Sequence, residues 1–384
     1  MRGNLNVPFK VGRPVEDEYF IDREEEIREI GEQMDSLSNA CVLGIRRMGK
    51  TSLLWAATRE MEDPIPVYVN CYGIPDMKRF ASLLVDSVRD AYSEITGDSM
   101  YASQIGRYLK EKAGRLSYHL TEMEVSVGQY FRVRIGTRER EVEPETVLED
   151  AFRYPEVLAT EKGVRFALIL DEFQDIGSRW GQDFLKRLRS IAESQGRVCY
   201  LFSGSSITFM SSLIDDASSP FYRQLHRIGV GPLPEEYAKA FVADRLDRCG
   251  YSFEDGALDL IVQMTDRIPD YLQRLGAIAS RMSGHIDRET VREAYEEMIT
   301  ELDSEFRGTL AILNQRSGVY GALLSGLSQH ETLADAGKAV GQDFGGAGRQ
   351  IAFLQNIGLV KKRDRGRYEI ADPIFKEWLS RSMS

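Results

Sequence analysis

The run Gly44-Ile-Arg-Arg-Met-Gly49-Lys50-Thr51 sets two glycines, a lysine and a hydroxyl at the spacing GxxxxGK[ST]. Glycines at these places let successive backbone N–H groups converge on phosphate oxygens, and a helix starting at the lysine adds its positive dipole end. Lys50 would reach the β- and γ-phosphates, and the Thr51 hydroxyl would ligate Mg²⁺. Gly44, Arg46, Arg47, Met48, Gly49, Lys50, Thr51 and Ser52 are therefore the loop positions assigned to a nucleotide. For Arg46 and Arg47, at the variable positions, solvent or a neighbouring subunit are further destinations. A second cluster, "RFALILDEFQDI", ends an apolar run in Asp171-Glu172. A carboxylate there would stand at the carboxyl edge of a sheet, where open α/β sheets bind ligands. Asp171 would hold Mg²⁺ through water, and Glu172 would polarise the water that attacks the γ-phosphate. A third, "YLFSGSS", offers Ser203 and Ser205 to the γ-phosphate or the water. Capping of the next helix explains the same serines equally well.

These groups need a scaffold that delivers them to one edge. Five short apolar runs read as buried parallel strands: 40–45, 65–70, 165–171, 197–203 and 226–231. Amphipathic helical segments separate most of them, the alternation of a doubly wound α/β sheet. The span 97–163 is too long for a simple crossover. It holds a helical stretch, the alternating "EMEVSVGQYFRVRIG" with a hairpin turn near Gly128, and a helix from about Pro144, and is treated as an insertion. Past Gly231 the strands stop and amphipathic helices follow. From Ser317 three short helices precede two strands joined by a basic turn, a winged-helix pattern. The expected division is an α/β P-loop NTPase core over 1–231, a helical lid over 232–316 and a winged helix over 317–384.

The chain of 384 residues carries a net charge of −11, with 28% charged and 42% hydrophobic residues. That balance fits a soluble globular protein and argues against one coated in nucleic acid. No run approaches a membrane span, and "MRGNLNVPFK" lacks the apolar core of a secretory signal, so a cytoplasmic protein is expected. Cys41, Cys71, Cys199 and Cys249 form no CxxC pair and read mostly as buried free thiols. The last part of the chain is locally basic. Arg349 and Gln350 on its third helix, with Lys361, Lys362, Arg363 and Arg365 in the turn, would meet double-stranded DNA if this module reads a groove. The competing account makes those cations a solvated turn and the module a protein-binding one.

"FIDREEEI", "GIRRMGKTSLL", "LILDEFQDI", "LFSGSS", "FYRQL" and "YEIADPIFKEWL" together resemble the archaeal ATPase family. Its members are STAND- and AAA+-related P-loop proteins with a carboxy-terminal winged helix, akin to archaeal ORC-type initiators. The resemblance spans nearly all of the chain except 97–163. It implies an extra strand with a polar sensor between the two motif strands, ATP or ADP as ligand, and slow ATP hydrolysis. It also implies roles for further residues. Asp22 and Arg23 match a short motif bordering the adenine, although Asp22 and Glu25 also have the spacing of a capping box. Arg223 resembles an arginine that approaches the γ-phosphate in cis or from a neighbour. "RIPDYLQRLG" resembles a Gly-x-Pro-x-x-Leu motif with Arg267 in the glycine's place, which makes Pro269 a candidate for facing the base and Arg274 a candidate phosphate sensor. Two functions follow. One is a Mg²⁺-dependent ATPase switch that touches DNA through its winged helix; the other is a signalling or assembly NTPase whose lid and winged helix bind proteins, including copies of itself.

Overall fold

A computed structural model describes residues 7–15, 17–97 and 143–382; the expected hairpin near Gly128 lies outside them. Five strands, β1 (Ala40–Leu43), β2 (Ile65–Asn70), β3 (Phe166–Asp171), β4 (Val198–Gly204) and β5 (His226–Gly229), form one sheet in the order β2-β3-β4-β1-β5. All neighbours run parallel. β4 therefore lies between the strand that leads into the glycine loop and the strand that ends in Asp171, as the family resemblance implies. The four residues of β1 explain why the sheet is covered on both sides: Ala40 and Val42 enter one apolar cluster, Cys41 and Leu43 the other. None of the four cysteines is in a disulfide; Cys41, Cys71 and Cys199 are buried and Cys249 is half-buried.

Helices α1 (Glu24–Asp35) and α2 (Lys50–Thr58) lie on the first face. α3 (Met77–Thr96), α4 (Pro144–Lys162), α5 (Gln174–Ser194) and α6 (Ile207–Asp215) complete the α/β layer. α4 belongs to the core rather than to a separate excursion: Leu148, Ala151, Phe152 and Leu158 are buried against the second face, and Phe152 stacks near Phe80 of α3 at 5.7 Å. α5 starts at Gln174, because the chain turns helical directly after Glu172, and it kinks at Gly181 (φ 73°).

The remaining helices are α7 (Glu235–Arg248), α8 (Asp255–Met264), α9 (Pro269–Met282) and the long α10 (Arg288–Arg316). Two-residue strands β6 (Ser252–Phe253) and β7 (His285–Ile286) pair beside them. α11 (Val319–Gln329), α12 (Leu333–Ala339) and α13 (Gly348–Asn356) then precede the antiparallel ribbon β8 (Val360–Asp364) and β9 (Arg367–Ile370), and α14 (Pro373–Ser382) closes the described chain. α14 lies along α10, where Trp378 Nε1 donates to Asp303 Oδ1 at 3.0 Å and Phe306 meets both Phe375 and Trp378. One apolar cluster runs from Leu53 and Met48 beside the glycine loop through Tyr271 and Phe306 to Trp378. The helical and carboxy-terminal regions thus share a core with the loop's own face of the sheet. Among the described residues, no helix is long and apolar enough to cross a membrane.

Candidate nucleotide site

The glycine loop is held from below by β5. A Cβ on Gly44 would lie 2.2 Å from the Val230 carbonyl oxygen, so only glycine lets the two strands approach there. Gly49 takes φ 82° as the residue before α2, a conformation that side chains other than glycine disfavour. Lys50 is 5% exposed, and its ammonium folds back to donate to Gly44 O (2.8 Å) and Ile45 O (3.0 Å). Burial holds the ammonium below its usual pKa range, and the carboxylates of Glu172 and Asp171 act against that shift. The lysine thus lies within the field of both acidic residues.

β3 delivers Asp171 to the sheet edge, 2% exposed. Its Oδ2 accepts from the Thr51 hydroxyl at 2.7 Å and from the Tyr68 hydroxyl at 2.6 Å, while Oδ1 accepts from the Glu172 N–H at 3.0 Å. Burial, with the Asp171 carboxylate adding to it, pushes the Tyr68 phenol well up, so it stays a donor. Glu172 sits at φ 52°, which tips its side chain out of the strand direction. Its Oε2 accepts from Ser205 Oγ at 2.8 Å and from Gln174 Nε2 at 2.5 Å. Lys50, Thr51, Asp171 and Glu172 are therefore brought together.

Of the two nominated serines, the structure takes Ser205 to this cluster. Ser203 is fully buried in β4 and its hydroxyl finds no partner among the described residues. The strand ends at Gly204, and past that point the alternation that would have equated the two serines no longer holds.

A narrow cavity opens beside the loop, bordered by Val15, Tyr19, Ile21, Arg23, Met48, Gly49, Ser52, Phe241, Pro269 and Gln273. Residues 7–15 strap it together: Val15 N donates to Ser52 Oγ (2.9 Å), Lys10 N donates to Gln273 Oε1 (2.9 Å), and the Phe9 ring fills the space a Cβ on Gly276 would need. The capping box at Asp22 is not formed. Arg23 precedes α1 at φ 84° with no side-chain cap, because Asp22 also turns left-handed at φ 59°. The Arg23 guanidinium donates instead to Glu26 Oε1 and to the Gly231 carbonyl, which ties α1 to the end of β5. Pro269 starts α9, and Arg267 before it adopts φ 58°. The arginine has kept the backbone conformation for which the motif's glycine is suited.

Three nominated arginines point elsewhere. Arg274 donates to Asp270 Oδ2 at 2.6 Å rather than standing free for a phosphate. Arg223 is exposed in the loop before β5, its guanidinium 5.0 Å from the Tyr222 ring centre. That loop lies at the amino-terminal edge of the sheet, opposite the edge that carries Gly44, so one chain does not bring it to the cluster. Arg47 leaves the loop altogether: it donates to Tyr271 Oη and Glu305, lies 3.7 Å from Asp270 and 3.6 Å from Asp372, and covers the Tyr271 ring. Arg46 is exposed beside it.

The carboxy-terminal basic residues divide into two groups. Lys361 and Arg363 both pair with Glu369, and Arg367 pairs with Glu331 at 3.4 Å. Arg349, Lys362 and Arg365 are exposed and form no ion pair with the described residues. Gln350 is half-buried. The end of α13 packs on the start of α6: Ser206 Oγ donates to the Gln355 carbonyl at 3.1 Å, and a Cβ on Gly358 would come within 2.7 Å of Ser205 O.

Sequence reasoning missed Tyr68, Gln174 and the partners of Arg47. Tyr68 was legible as the one hydroxyl inside "IPVYVN", and Gln174 as the amide two residues past Glu172. Asp270, Glu305 and Asp372 carried no local signal, since only the packing of three regions assembles them.

The sheet order, the glycine loop after β1 and the acidic pair after β3 define a P-loop NTPase with an added central strand. A family model described as an ATPase domain predominantly from Archaea matches residues 20–275. The chain belongs to that family of ATP-hydrolysing P-loop enzymes. Among solved structures it is similar to the Walker-type ATPase PABY2304 of Pyrococcus abyssi, at 20% identity and a TM-score of 0.70, covering 97% of this chain and 99% of that one. It is also similar to the Aeropyrum pernix ORC1 protein, solved in complex with DNA, at 18% identity and a TM-score of 0.50, covering 96% of this chain and 94% of that one. The ADP form of the Aeropyrum pernix ORC2 protein matches at 14% identity and a TM-score of 0.50, covering 96% and 97%. No curated protein sequence matches the chain.

Proposed function

We propose that the chain is a Mg²⁺-dependent ATPase switch whose nucleotide loop is read by its own helical and carboxy-terminal regions. The observation that carries this is Arg47, a residue of the loop whose guanidinium lies against α9, α10 and the residue before α14. Any change of the loop on filling with phosphate is felt at that junction. We assign the three parts as 1–231, 232–316 and 317–384, the last a winged helix.

In this scheme the adenine enters the cavity under the strap formed by residues 7–15, beside Arg23, Met48 and Pro269. Lys50 exchanges its two loop carbonyls for β- and γ-phosphate oxygens. Thr51 and Asp171 are oxygen donors side by side at the sheet edge, which suits a hard cation, and they would hold Mg²⁺. When bound, the ion would neutralise phosphate charge. Glu172 accepts a proton from the water that attacks the γ-phosphorus, as the bond to the leaving ADP oxygen breaks.

Protein partners are the better supported target of the switch, because Glu369 and Glu331 pair with three of the ribbon's five cations, Lys361, Arg363 and Arg367, and α13 is packed on α6. DNA contact is a second reading, supported by the exposed Arg349, Lys362 and Arg365 and by the DNA complex of the ORC1 neighbour. The deciding experiment on the site is a pair of variants. Lys50→Ala should lose nucleotide binding, and Glu172→Gln should bind ATP normally and retain it unhydrolysed. Hydrolysis by Glu172→Gln at the wild-type rate removes Glu172 from the mechanism.

A further inference from the structure

Gln174 is 8% exposed and Ser205 is fully buried, yet each spends its polar atoms on the same neighbour. Gln174 Nε2 donates to Glu172 Oε2 at 2.5 Å and lies 3.3 Å from Ser205 Oγ, while its Oε1 accepts from the Ser205 N–H at 3.2 Å. Ser205 Oγ donates to the same Glu172 oxygen at 2.8 Å. The amide thus closes a small ring that joins the residue after β3 to the residue after β4. Gly204 makes room for it: a Cβ there would stand 2.4 Å from Gln174 Oε1 and 2.6 Å from Met210 Sδ. Both donors address Oε2, and Oε1 makes no hydrogen bond to the described residues.

A flexible carboxylate on a left-handed residue has no intrinsic reason to face one direction. Two buried donors on one oxygen fix it, and they leave the other oxygen to accept a proton. We infer that Gln174 is a positioning residue for hydrolysis: with Ser205 it anchors Glu172 Oε2 so that Oε1 is presented to the attacking water. Gln174 acts through Glu172 and does not itself touch the reacting atoms. The role depends on Glu172 being the base proposed above.

The test is a double-mutant cycle on the full chain, with Mg·ATP hydrolysis and binding of a fluorescent ATP analogue as readouts. Gln174→Met keeps the volume and removes the amide; Ser205→Ala removes one donor and guards against a folding failure of the first. Each is expected to lower kcat by roughly tenfold to a hundredfold, the scale of a misplaced catalytic group, with analogue affinity within about threefold of wild type. In the Glu172→Gln background neither change should lower kcat further. Full activity in both single variants, or equal losses with and without the Glu172 carboxylate, overturns the inference. A wild-type rate in Glu172→Gln alone would instead overturn the assignment of the base, so the two failures are told apart.

Discussion

Arg47 Nη1 lies 3.6 Å from Asp372 Oδ2, so a residue of the phosphate loop and the residue before the last helix share one ion pair. The Tyr271 hydroxyl donates to the same Asp372 oxygen at 2.5 Å, and the Arg47 carbonyl accepts from the Asp270 N–H at 3.4 Å. The side chain of Arg47 is 13% exposed, which makes its three carboxylate neighbours a requirement rather than an ornament. A guanidinium buried to this degree is costly unless paired and hydrogen-bonded.

Removing Arg47 therefore leaves Asp372 and Asp270 crowded without their shared cation. Arg47→Ala is expected to loosen the carboxy-terminal region from the loop, seen as a larger radius of gyration in small-angle scattering and faster proteolysis around Ser317. Asp372→Ala should do the same, and the pair should be non-additive by about 1 kcal/mol or more, the usual coupling of residues in one network. An unchanged scattering curve in both variants would show that the apolar packing of Phe306, Phe375 and Trp378 holds the region alone.

Tyr68 supplies one of the two side-chain hydroxyls on Asp171 Oδ2. Removing a partner that orients a metal-bearing carboxylate commonly changes metal affinity by about ten to a hundredfold. Tyr68→Phe should raise the Mg²⁺ concentration for half-maximal hydrolysis by about tenfold, while metal-free ADP binding stays as in wild type. Coincident Mg²⁺ titrations would remove Tyr68 from that role.

The strands, their parallel direction and the acidic pair were legible because buried parallel strands announce themselves as short apolar runs, and phosphate loops need fixed glycine spacing; the place of β4 in the order followed only from the family resemblance. Ser205 against Ser203 was not, because the choice turns on where β4 stops. Arg274 and Arg47 were misplaced for a related reason. A long cation reaches whatever carboxylate tertiary packing supplies, and Asp270, Glu305 and Asp372 come from distant parts of the chain. The helix from Pro144 looked like part of an insertion until its apolar face was seen to cover the sheet.

Asp150 on α4 gives the core a pH signature. It is 2% exposed, and burial, with Glu149 adding to it and Arg153 opposing, pushes its carboxyl up to about 6 from 3.8. A carboxyl whose folded pKa is raised binds more protons in the native state. Its stabilising share is complete below the unfolded value and is lost as pH rises through about 6. Asp150→Asn keeps a neutral group at every pH. Its melting temperature should gain on the wild type between pH 4.5 and pH 7, tested at about those two values by calorimetry. A constant difference across that range would mean that the carboxyl ionises inside the fold without cost.

If duplex DNA is bound at the ribbon, the cations that release counterions are those with no carboxylate already beside them. Glu369 occupies Lys361 and Arg363, so reversing those two would test an ion pair more than a DNA contact. Lys362→Glu with Arg365→Glu is the sharper variant. Every phosphate that a cation ceases to neutralise should lower the slope of log affinity against log salt by about 1, so the double variant should shed about 2 from it. Arg349→Ala on α13 should weaken binding separately, because that residue sits on the helix and not on the ribbon. A wild-type protein whose capture of duplex DNA is weak and insensitive to salt would assign the carboxy-terminal region to protein partners. Its affinity for them should then change between ATP and ADP, as it must if Arg47 couples the loop to that region.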